Sequence, residues 1–367
     1  MPAAGRASVG TVSTRVGTVP LAELTTLRLG GPATRVVEVT SEDELIGAVR
    51  DCDERGEPVL VVGGGSNLVV DDAGFAGTVV LVATRGIDVD ASASCDSDAL
   101  AACGGVLLTA AAGEPWDDLV AYTVANEWPG IEALSGIPGL VGATPMQNVG
   151  AYGQEVAQTV WTVRTYDRQD RRVRTFANAD CRFAYRDSRF KGSERYVILT
   201  VSYQLREGSL GLPVRYAELA RRLGVAVGER APLGDVRAAV LALRTGKGMV
   251  LDAADHDTWS AGSFFTNPVL TEAQAAALPD GAPRFPAGDG LVKSSAAWLI
   301  EHAGFRRGYS GGRSAVSLST KHTLALTNRG DASTAELLSL AREVRDGVRS
   351  AFGVELTPEP RLVGCAL

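Results

Sequence analysis

A glycine-rich stretch in the first half of the chain has the composition of a phosphate-binding loop. It covers residues 135–153, with the sequence SGIPGLVGATPMQNVGAYG, and Gly136, Gly139 and Gly142 recur in it at every third position. Glycine permits positive φ and lets the main chain approach a ligand closely. Successive N–H groups in such a loop converge on phosphate oxygens, which suits a diphosphate better than a metal ion or a nucleic-acid backbone. The alternative is a long surface connection that binds nothing.

A second glycine-rich loop comes directly after a predicted buried strand. The strand is PVLVV at residues 58–62, and the loop is GGGSN at residues 63–67. It does not match the Rossmann fingerprint, because the sixth position is Leu68 rather than glycine or alanine and no amphipathic helix follows. A P-loop is excluded as well, since the Gly-Lys pair at 246–247 is followed by another glycine instead of serine or threonine.

Length and charge limit the classes of protein to consider. The 367 residues are 45% hydrophobic and 22% charged, which is ordinary for a globular protein of two or three domains. The net charge of −7 argues against general nucleic-acid binding and against attachment to an acidic membrane surface. No apolar run is long enough to span a membrane, and residues 1–19 lack the apolar centre of a signal peptide. We therefore expect a cytoplasmic protein without membrane insertion, beginning with a flexible tail over residues 1–19.

The cysteines favour reduced thiols. They are five in number and none belongs to a C-x-x-C pair, which argues against a disulfide framework and against a zinc site. We expect no metal centre. The residues are Cys52, Cys95, Cys103, Cys181 and Cys365.

Periodicity and capping signals predict that both glycine loops belong to one unit. The sequence SEDE at residues 41–44 forms a capping box for a helix through Cys52, and a second helix starts at residues 114–116. Small apolar residues at 101–112 predict a pair of strands. An antiparallel sheet is predicted from strands at 160–166, 171–176 and 196–205. This unit covers residues 20–207, with subdomains of 20–84 and 85–207.

A change in composition at residues 208–234 marks a connecting insertion before a C-terminal unit over residues 235–363. The predicted elements are a short helix at 216–223, helices at 236–247 and 294–303, a strand at 323–327, a long helix capped by Ser333, and an edge strand at 354–363. Period two places four polar residues of this last strand on one face: Glu355, Thr357, Glu359 and Arg361.

Six blocks of the sequence carry a resemblance to a known family. They are, in order, VVGGGSNLVV, SGIPGLVGATPMQNVGAYGQEV, CRFAYRDSRFK, AGSFFTNP, AAWLIEHAGF and TPEPR. Together they resemble the UDP-N-acetylenolpyruvoylglucosamine reductases, also called UDP-N-acetylmuramate dehydrogenases, in the longer of that family's two types. The family implies an α+β fold, with a two-part FAD-binding domain of the vanillyl-alcohol-oxidase (PCMH) type before a smaller α+β substrate-binding domain.

The resemblance also implies an activity. The family are flavoprotein oxidoreductases that use NADPH to reduce UDP-N-acetylglucosamine enolpyruvate to UDP-N-acetylmuramate. This reaction belongs to peptidoglycan synthesis, and through it to cell-wall biogenesis, cell shape and cell division. The expected partners are therefore small molecules only, and we expect a monomer.

In the family, the two glycine loops hold the cofactor. FAD would be bound non-covalently, because neither loop contains histidine or cysteine to anchor it. Main-chain N–H groups would surround its diphosphate. The implied cofactor-binding residues are Gly63, Gly64, Gly65, Ser66, Asn67, Gly139, Gly142, Gln147, Asn148, Gly150 and Ala151.

Three residues match the family's catalytic positions. Arg186 would polarise the substrate carboxylate, Ser263 would donate a proton, and Glu359 would stabilise developing negative charge. A bare carboxylate would repel that charge, so we expect an elevated pKa of Glu359. From the residues alone, an arginine beside an aspartate is also a common ion pair, a serine a turn residue and a lone glutamate an edge-strand charge.

Seven further residues match positions that hold the UDP-sugar. A substrate with a diphosphate and a carboxylate needs fixed cations in an acidic protein. For the two cations near residue 245 the alternative is favourable placement at a helix C-terminus. The implied substrate-binding residues are Tyr152, Tyr216, Arg244, Lys247, Asn267, His322 and Arg361.

Two other functions stay open on the sequence. One is a related FAD-dependent oxidase of another substrate, which needs no diphosphate site. The other is a non-catalytic flavin-binding or nucleotide-binding protein. Arg186, Ser263 and Glu359 together argue against the latter, because binding alone does not require all three.

Overall fold

The computed structural model describes residues 13–91 and 105–367, and its N-terminal half contains two sheets. The first elements are strand β1 (Ser13–Pro20), β2 (Pro32–Val39), helix α1 (Glu42–Arg55), β3 (Val59–Val62), β4 (Leu68–Val70) and β5 (Phe75–Val82). The first sheet has the strand order β1-β2-β5-β3, so residues 13–19 of the predicted flexible tail are instead part of a strand that pairs with β2. Strand β5 pairs in parallel with both β2 and β3, so the chain crosses over through α1.

Local sequence signals explain these elements. Ser41 and Glu44 form the predicted capping box of α1, and Gly56 ends the helix at a φ of 63°, a left-handed conformation that glycine adopts without strain. Strand β3 is largely buried, as expected for an apolar run in the parallel part of a sheet. It leads directly into the GGGSN loop, which the sheet thereby holds at its carboxyl edge.

The second sheet follows in the chain. Its elements and neighbours are β6 (Ile87–Asp90), β7 (Val106–Ala111), α2 (Trp116–Ala125), the short strands β8 (Gly150–Ala151) and β9 (Gln154–Glu155), β10 (Val160–Asp167), β11 (Arg172–Ala177) and β12 (Tyr196–Leu205). The sheet has the order β11-β10-β12-β7-β6. The three predicted antiparallel strands are confirmed within one or two residues. The glycine-rich stretch at 135–153 is the long excursion between α2 and β10.

The strand pair predicted at residues 101–112 is wrong for the part that the structure describes. Residues 101–104 lie outside the described ranges, and residues 106–111 form the single strand β7. It pairs with β12, which lies far along the chain, and with β6, which ends well before β7 begins. Small apolar residues indicated burial here, but burial alone does not identify the pairing partner.

Two helices connect the halves of the chain, α3 (Ala217–Leu223) and α4 (Leu233–Gly246). Helix α4 packs on α3 and on the turn at residues 132–134, and Val236 and Val240 are buried in that contact. The buried face of α4 thus belongs with the preceding unit. The domain limits stated above, including the one at residue 235, stay predictions.

The C-terminal unit contains short strands around one long helix. Its elements are β13 (Val269–Thr271), α5 (Glu272–Ala276), β14 (Phe285–Pro286), β15 (Leu291–Lys293), α6 (Ala296–His302), β16 (Val316–Leu318), β17 (Leu326–Asn328), α7 (Thr334–Phe352) and β18 (Arg361–Val363). Helix α7 begins at the predicted cap, Ser333, which forms a capping box with Glu336, and it buries an apolar stripe of Leu337, Leu340, Ala341, Val344 and Val348. The same core includes Leu27, Leu29 and Val69, so the chain's N-terminal part helps to close it.

Two strand predictions in this unit need correction. The strand predicted at 323–327 begins only at Leu326, because the preceding residues form a turn. The edge strand predicted at 354–363 is regular only in β18, which pairs in parallel with β4 of the first half. Burial still largely follows the predicted alternation, since Glu355, Thr357 and Arg361 are exposed, while the Glu359 side chain is 14% exposed.

Within the described ranges, none of the helices is long and apolar enough to cross a membrane. Cys52, Cys181 and Cys365 are free thiols, while Cys95 and Cys103 lie outside the described residues.

Candidate active site

A cavity of about 290 Å³ lies between the two glycine loops and the C-terminal unit. A smaller cavity of about 130 Å³ adjoins it, and both are lined by Val61, Gly63, Leu140, Met146 and Arg361. The two cavities therefore form one cleft along the loops. Its wall is formed mainly by main chain and apolar side chains, as in sites for large organic cofactors.

The two glycine loops contact each other directly. A Cβ atom on Gly64 would lie 2.8 Å from the Cα of Gly139, which no real side chain tolerates. The Ser66 hydroxyl donates to the carbonyl of Pro138 at 3.1 Å, and the Asn67 amide donates to Gln147 Oε1 at 2.5 Å. The absence of side chains at the glycines is what allows this contact, so both loops face the cleft as one surface.

The first glycine loop has main-chain N–H groups that are available to bind an anion. In the part of the chain that the structure describes, the N–H groups of Gly64, Gly65 and Ser66 make no hydrogen bond to another main-chain group. Gly65 has a φ of 61°, and a Cβ there would lie 1.8 Å from the carbonyl oxygen of Leu24. A left-handed residue in such a loop turns successive N–H groups toward a common point, which is the geometry of an anion-binding nest.

The predicted cofactor residues divide into those that line the cleft and those that support it. Gly63, Gly64, Gly65, Ser66, Asn67, Gln147 and Gly150 line the larger cavity, and Gly142 lines the smaller one. Gly139, Asn148 and Ala151 line neither cavity. The Asn148 side chain donates to Glu155 and to the carbonyl of Ala184, and it accepts from Ala157, so it shapes the loop.

Arg186 reaches the cavity from a tight turn. Its guanidinium donates to the carbonyl of Gly150 at 2.6 Å and to that of Asn148 at 3.4 Å. Its Nε lies 3.2 Å from Glu359 Oε1, although the two residues are far apart in sequence. The arginine is thus fixed by the second glycine loop on one side and by the C-terminal segment on the other.

Ser263 and Glu359 lie on two segments that pair with each other. The Glu359 N–H donates to the carbonyl of Phe264 at 2.8 Å, and Phe265 forms an isolated bridge with Pro358. Phe264 and Phe265 are both buried, which holds the pair of segments against the core. The main-chain pairing brings Ser263 and Glu359 to the wall of the cavity that Arg186 also lines. The three predicted catalytic residues are therefore together.

Glu359 has an elevated pKa, as its proposed role requires. Burial raises the pKa of its carboxyl, while the nearby charges of Arg186 and Lys191 oppose that shift. Arg186 is its direct ion-pair partner, and Lys191 acts from further away. An anionic ligand that binds the Arg186 guanidinium would weaken the interaction of that positive charge with Glu359. The pKa of Glu359 would then rise further.

A group of basic and aromatic side chains lies beside the cavity. Arg244 lines it and is buried, and its Nε has no hydrogen-bond partner among the described residues. Burial lowers the pKa of Arg244 to about 10, so it stays charged at neutral pH. Lys247 pairs with Glu218 at 2.6 Å and lies 5.7 Å from the ring centre of Tyr152, which contacts Tyr216 edge to face.

The other three predicted substrate residues lie in different places. Burial lowers the pKa of His322 to about 4, and Lys247 adds to that effect, so His322 is near this basic group and neutral. Asn267 lies apart, accepting from the N–H of Ala296 at the start of α6. Arg361 lines both cavities, its N–H donates to the carbonyl of Asn67, and its side chain pairs with Glu194.

Several lining residues had no signal in the sequence. Thr26, Ser260 and Met249 line the larger cavity, yet residues of these types serve mostly structural roles elsewhere. Lys191 belongs to a block that carries the resemblance, but nothing in the pattern distinguishes its ammonium from a solvated one. Only the contact of that ammonium with the turn at Arg186 makes it notable.

Comparison with known proteins agrees with this architecture. Residues 33–175 match a family model described as an FAD binding domain, and residues 254–363 match that of the UDP-N-acetylenolpyruvoylglucosamine reductase C-terminal domain. A reductase of that name from Cutibacterium acnes is 58% identical over 95% of this chain and 90% of its own length. The reductase from Salinispora arenicola is 57% identical over 95% of both.

A solved structure shares the fold. The crystal structure of UDP-N-acetylenolpyruvylglucosamine reductase from Thermus caldophilus superposes with a TM-score of 0.64, covering 96% of this chain and 100% of that one, at 23% identity. The FAD-binding domain and the cleft along its glycine loops define a flavoprotein, an FAD-dependent oxidoreductase of two-part architecture. With relatives more than half identical along nearly its whole length, the chain belongs to the UDP-N-acetylenolpyruvoylglucosamine reductase family.

Proposed function

We propose that this chain uses NADPH to reduce the enolpyruvyl ether of UDP-N-acetylglucosamine to the lactyl ether of UDP-N-acetylmuramate. The observation that supports this most is the meeting of Arg186, Ser263 and Glu359 at one cavity beside the glycine loops. An anion-binding group, a proton donor and a carboxyl of raised pKa are the groups that reduction of an unsaturated carboxylate requires. The reaction would serve peptidoglycan synthesis.

The residues of the cleft fit a non-covalent FAD. The N–H groups of Gly64, Gly65 and Ser66, which have no main-chain partner among the described residues, would hold its diphosphate, and Asn67 and Gln147 would offer polar side chains to it. When bound, FAD supplies the carrier that accepts a hydride from NADPH and later returns it to the substrate. The position of Arg361 on both cavities supports a role toward the cofactor rather than toward the UDP-sugar.

The catalytic residues of this chain then have separate tasks. Arg186 binds the substrate carboxylate and stabilises the negative charge that builds there after hydride addition to the distal vinyl carbon. Glu359, in its protonated form, donates to the same charge. Ser263 gives its hydroxyl proton to the carbon next to the carboxylate, which completes the reduction.

The basic group beside the cavity would hold the UDP-sugar. Arg244 offers a buried guanidinium with an unused Nε, and Lys247, Tyr152 and Tyr216 lie around it. Neutral His322 offers one donor and one acceptor. We also propose that the enzyme works in the cytoplasm as a monomer, because its two substrates are soluble small molecules.

The pH dependence of the second half-reaction, in which the enolpyruvyl substrate reoxidises the reduced enzyme, tests the role of Glu359. Protonated Glu359 is the active form, so the rate falls as the pH rises through a pKa above the usual glutamate value. Glu359→Gln keeps a neutral donor and cannot titrate, so this inflection should vanish. Rapid-mixing absorbance over a pH series measures it. The same inflection in Glu359→Gln would assign the titration to another group.

A comparison of Arg244→Ala with Lys247→Ala tests the substrate site. Loss of a charge-assisted contact costs about 1.5–3 kcal/mol, so KM for the UDP-sugar should rise about ten- to a hundredfold in Arg244→Ala. Lys247→Ala should have the smaller effect, because Glu218 already compensates that charge. Steady-state kinetics measures both, with exposed Arg171→Ala as the control. An unchanged KM in both variants would mean that Arg244 and Lys247 serve only as favourable charges at a helix C-terminus.

Product identification tests the proposed function itself. Protein incubated with NADPH and UDP-N-acetylglucosamine enolpyruvate should yield a product with two more hydrogens, which mass spectrometry detects. Deuteride supplied on NADPH should appear at the methyl carbon of the lactyl group. Consumption of NADPH with oxygen but without this product would indicate the alternative of a flavin oxidase.

A further inference from the structure

The turn that carries Arg186 adopts a conformation that arginine does not favour. Ala184 and Asp187 close the turn by two mutual main-chain hydrogen bonds of 3.0 and 3.2 Å. Arg186 is the third residue of this turn and has a φ of 52°, where glycine or asparagine is preferred. Such a conformation persists only when contacts around it hold it.

The main chain of this turn is held by Lys191, which does not itself line the cavity. Its ammonium donates to the carbonyl oxygen of Arg186 at 2.6 Å. In the described part of the chain this ammonium has no carboxylate within ion-pair distance, although the side chain is exposed and the chain is acidic. Lys191 is also close enough for its charge to act on Glu359. Lys191 therefore contacts the main chain of the turn, while the side chain of Arg186 lines the cavity.

We propose that Lys191 is a positioning residue for the carboxylate site: its ammonium fixes the Arg186 turn in the left-handed conformation that directs the guanidinium at the substrate carboxylate. This inference rests on the proposed function, because that function supplies the carboxylate. The cation contributes in two ways. It satisfies the Arg186 carbonyl, and it adds positive charge near a site that must hold two carboxyl groups, those of the substrate and of Glu359.

The proposal predicts an effect that depends on the carboxylate of the ligand. UDP-N-acetylglucosamine lacks the enolpyruvyl carboxylate but shares the rest of the substrate. In Lys191→Met, affinity for the enolpyruvyl substrate should fall about tenfold, as for loss of one charge-assisted contact, while affinity for UDP-N-acetylglucosamine stays within about twofold. Isothermal titration calorimetry on the flavin-loaded protein measures both without turnover.

Two further variants complete the experiment. Lys191→Arg keeps a cationic donor and should recover most of the affinity lost in Lys191→Met. If Lys191 served only in packing, the charge of the replacing side chain would make no difference to the affinity. Arg50→Met removes an exposed cation of α1 that pairs only weakly with Asp51 and should change neither affinity. In rapid mixing, Lys191→Met should slow the second half-reaction by about tenfold and leave reduction by NADPH nearly unchanged.

Equal weakening of both ligands, or unchanged affinity for the enolpyruvyl substrate, would overturn the proposal. Failure of Lys191→Arg to restore affinity would do so as well. These outcomes differ from failure of the proposed function, in which the unaltered protein itself would neither prefer the enolpyruvyl ligand nor reduce it. Flavin content and melting temperature, measured on every variant, identify a variant that has simply lost its fold, and Lys191→Gln then replaces Lys191→Met.

Discussion

Ser263→Ala should separate the two half-reactions. Reduction by NADPH is expected to proceed at a nearly normal rate, whereas reoxidation by the enolpyruvyl substrate should slow by about 10²–10⁴-fold, the usual contribution of a positioned general acid. The reason lies in where a proton is needed. Hydride addition to the distal carbon leaves a basic carbon next to the carboxylate, and Ser263 is a hydroxyl on the cavity wall that Arg186 and Glu359 share.

A neighbouring serine provides the control for this variant. Ser260 also lines the cavity, but its hydroxyl accepts from the N–H of Gly262 at 3.2 Å and so supports the loop. Ser260→Ala should therefore slow neither half-reaction selectively. Rapid-mixing absorbance of the flavin follows each half directly. Equal slowing of both halves in Ser263→Ala would mean that Ser263 positions the flavin, and normal rates in both would leave it a turn residue.

Gly64→Ala should remove most of the bound flavin. The added methyl group would lie 2.8 Å from the Cα of Gly139, so the two glycine loops must separate. Forcing an extra carbon into a packed contact costs about 1–3 kcal/mol, which corresponds to a loss of flavin affinity of about five- to 150-fold. Gly64→Val should lose more. The ratio of flavin absorbance to protein absorbance after purification measures occupancy.

The matched control adds the same methyl group elsewhere in the FAD-binding half. Gly47 lies in α1, and nothing lies within 4 Å of a Cβ there. Gly47→Ala should retain full occupancy, with stability unchanged or slightly increased because alanine favours helix. Equal occupancy in Gly64→Ala and Gly47→Ala would contradict the assignment of the loop contact to the cofactor site.

The sequence predicted the local parts of this structure well. The two capping-box residues of α1, and those of α7, are only three positions apart in the sequence. The GGGSN loop directly follows a buried strand. Short-range rules were therefore sufficient to predict both helices and the loop. The resemblance supplied the three candidate catalytic residues. Their common cavity follows from the pairing of Phe265 with Pro358, a contact between distant segments that no periodicity encodes.

Two of the predicted site roles stay predictions, and tertiary contacts that the sequence does not show bear on both. Asn148 is predicted to bind the cofactor, and its side chain also donates to the carbonyl of Ala184 and accepts from the N–H of Ala157, both outside the glycine-rich stretch. Arg361 is predicted to bind the substrate, and pairing of β18 with β4 places it beside the first glycine loop, on the wall of both cavities. Both roles depend on tertiary contacts, which decide between a ligand role and a structural role for the same residue type.

The absorption spectrum of the purified protein under anaerobic conditions tests the central claim most directly. The protein should purify with the spectrum of oxidised flavin, and trichloroacetic acid should release that flavin as free FAD. NADPH should then bleach the visible band, and UDP-N-acetylglucosamine enolpyruvate should restore it without oxygen. Colourless protein that cannot be reconstituted with FAD, or a bleached flavin that the enolpyruvyl substrate leaves reduced, would contradict the account.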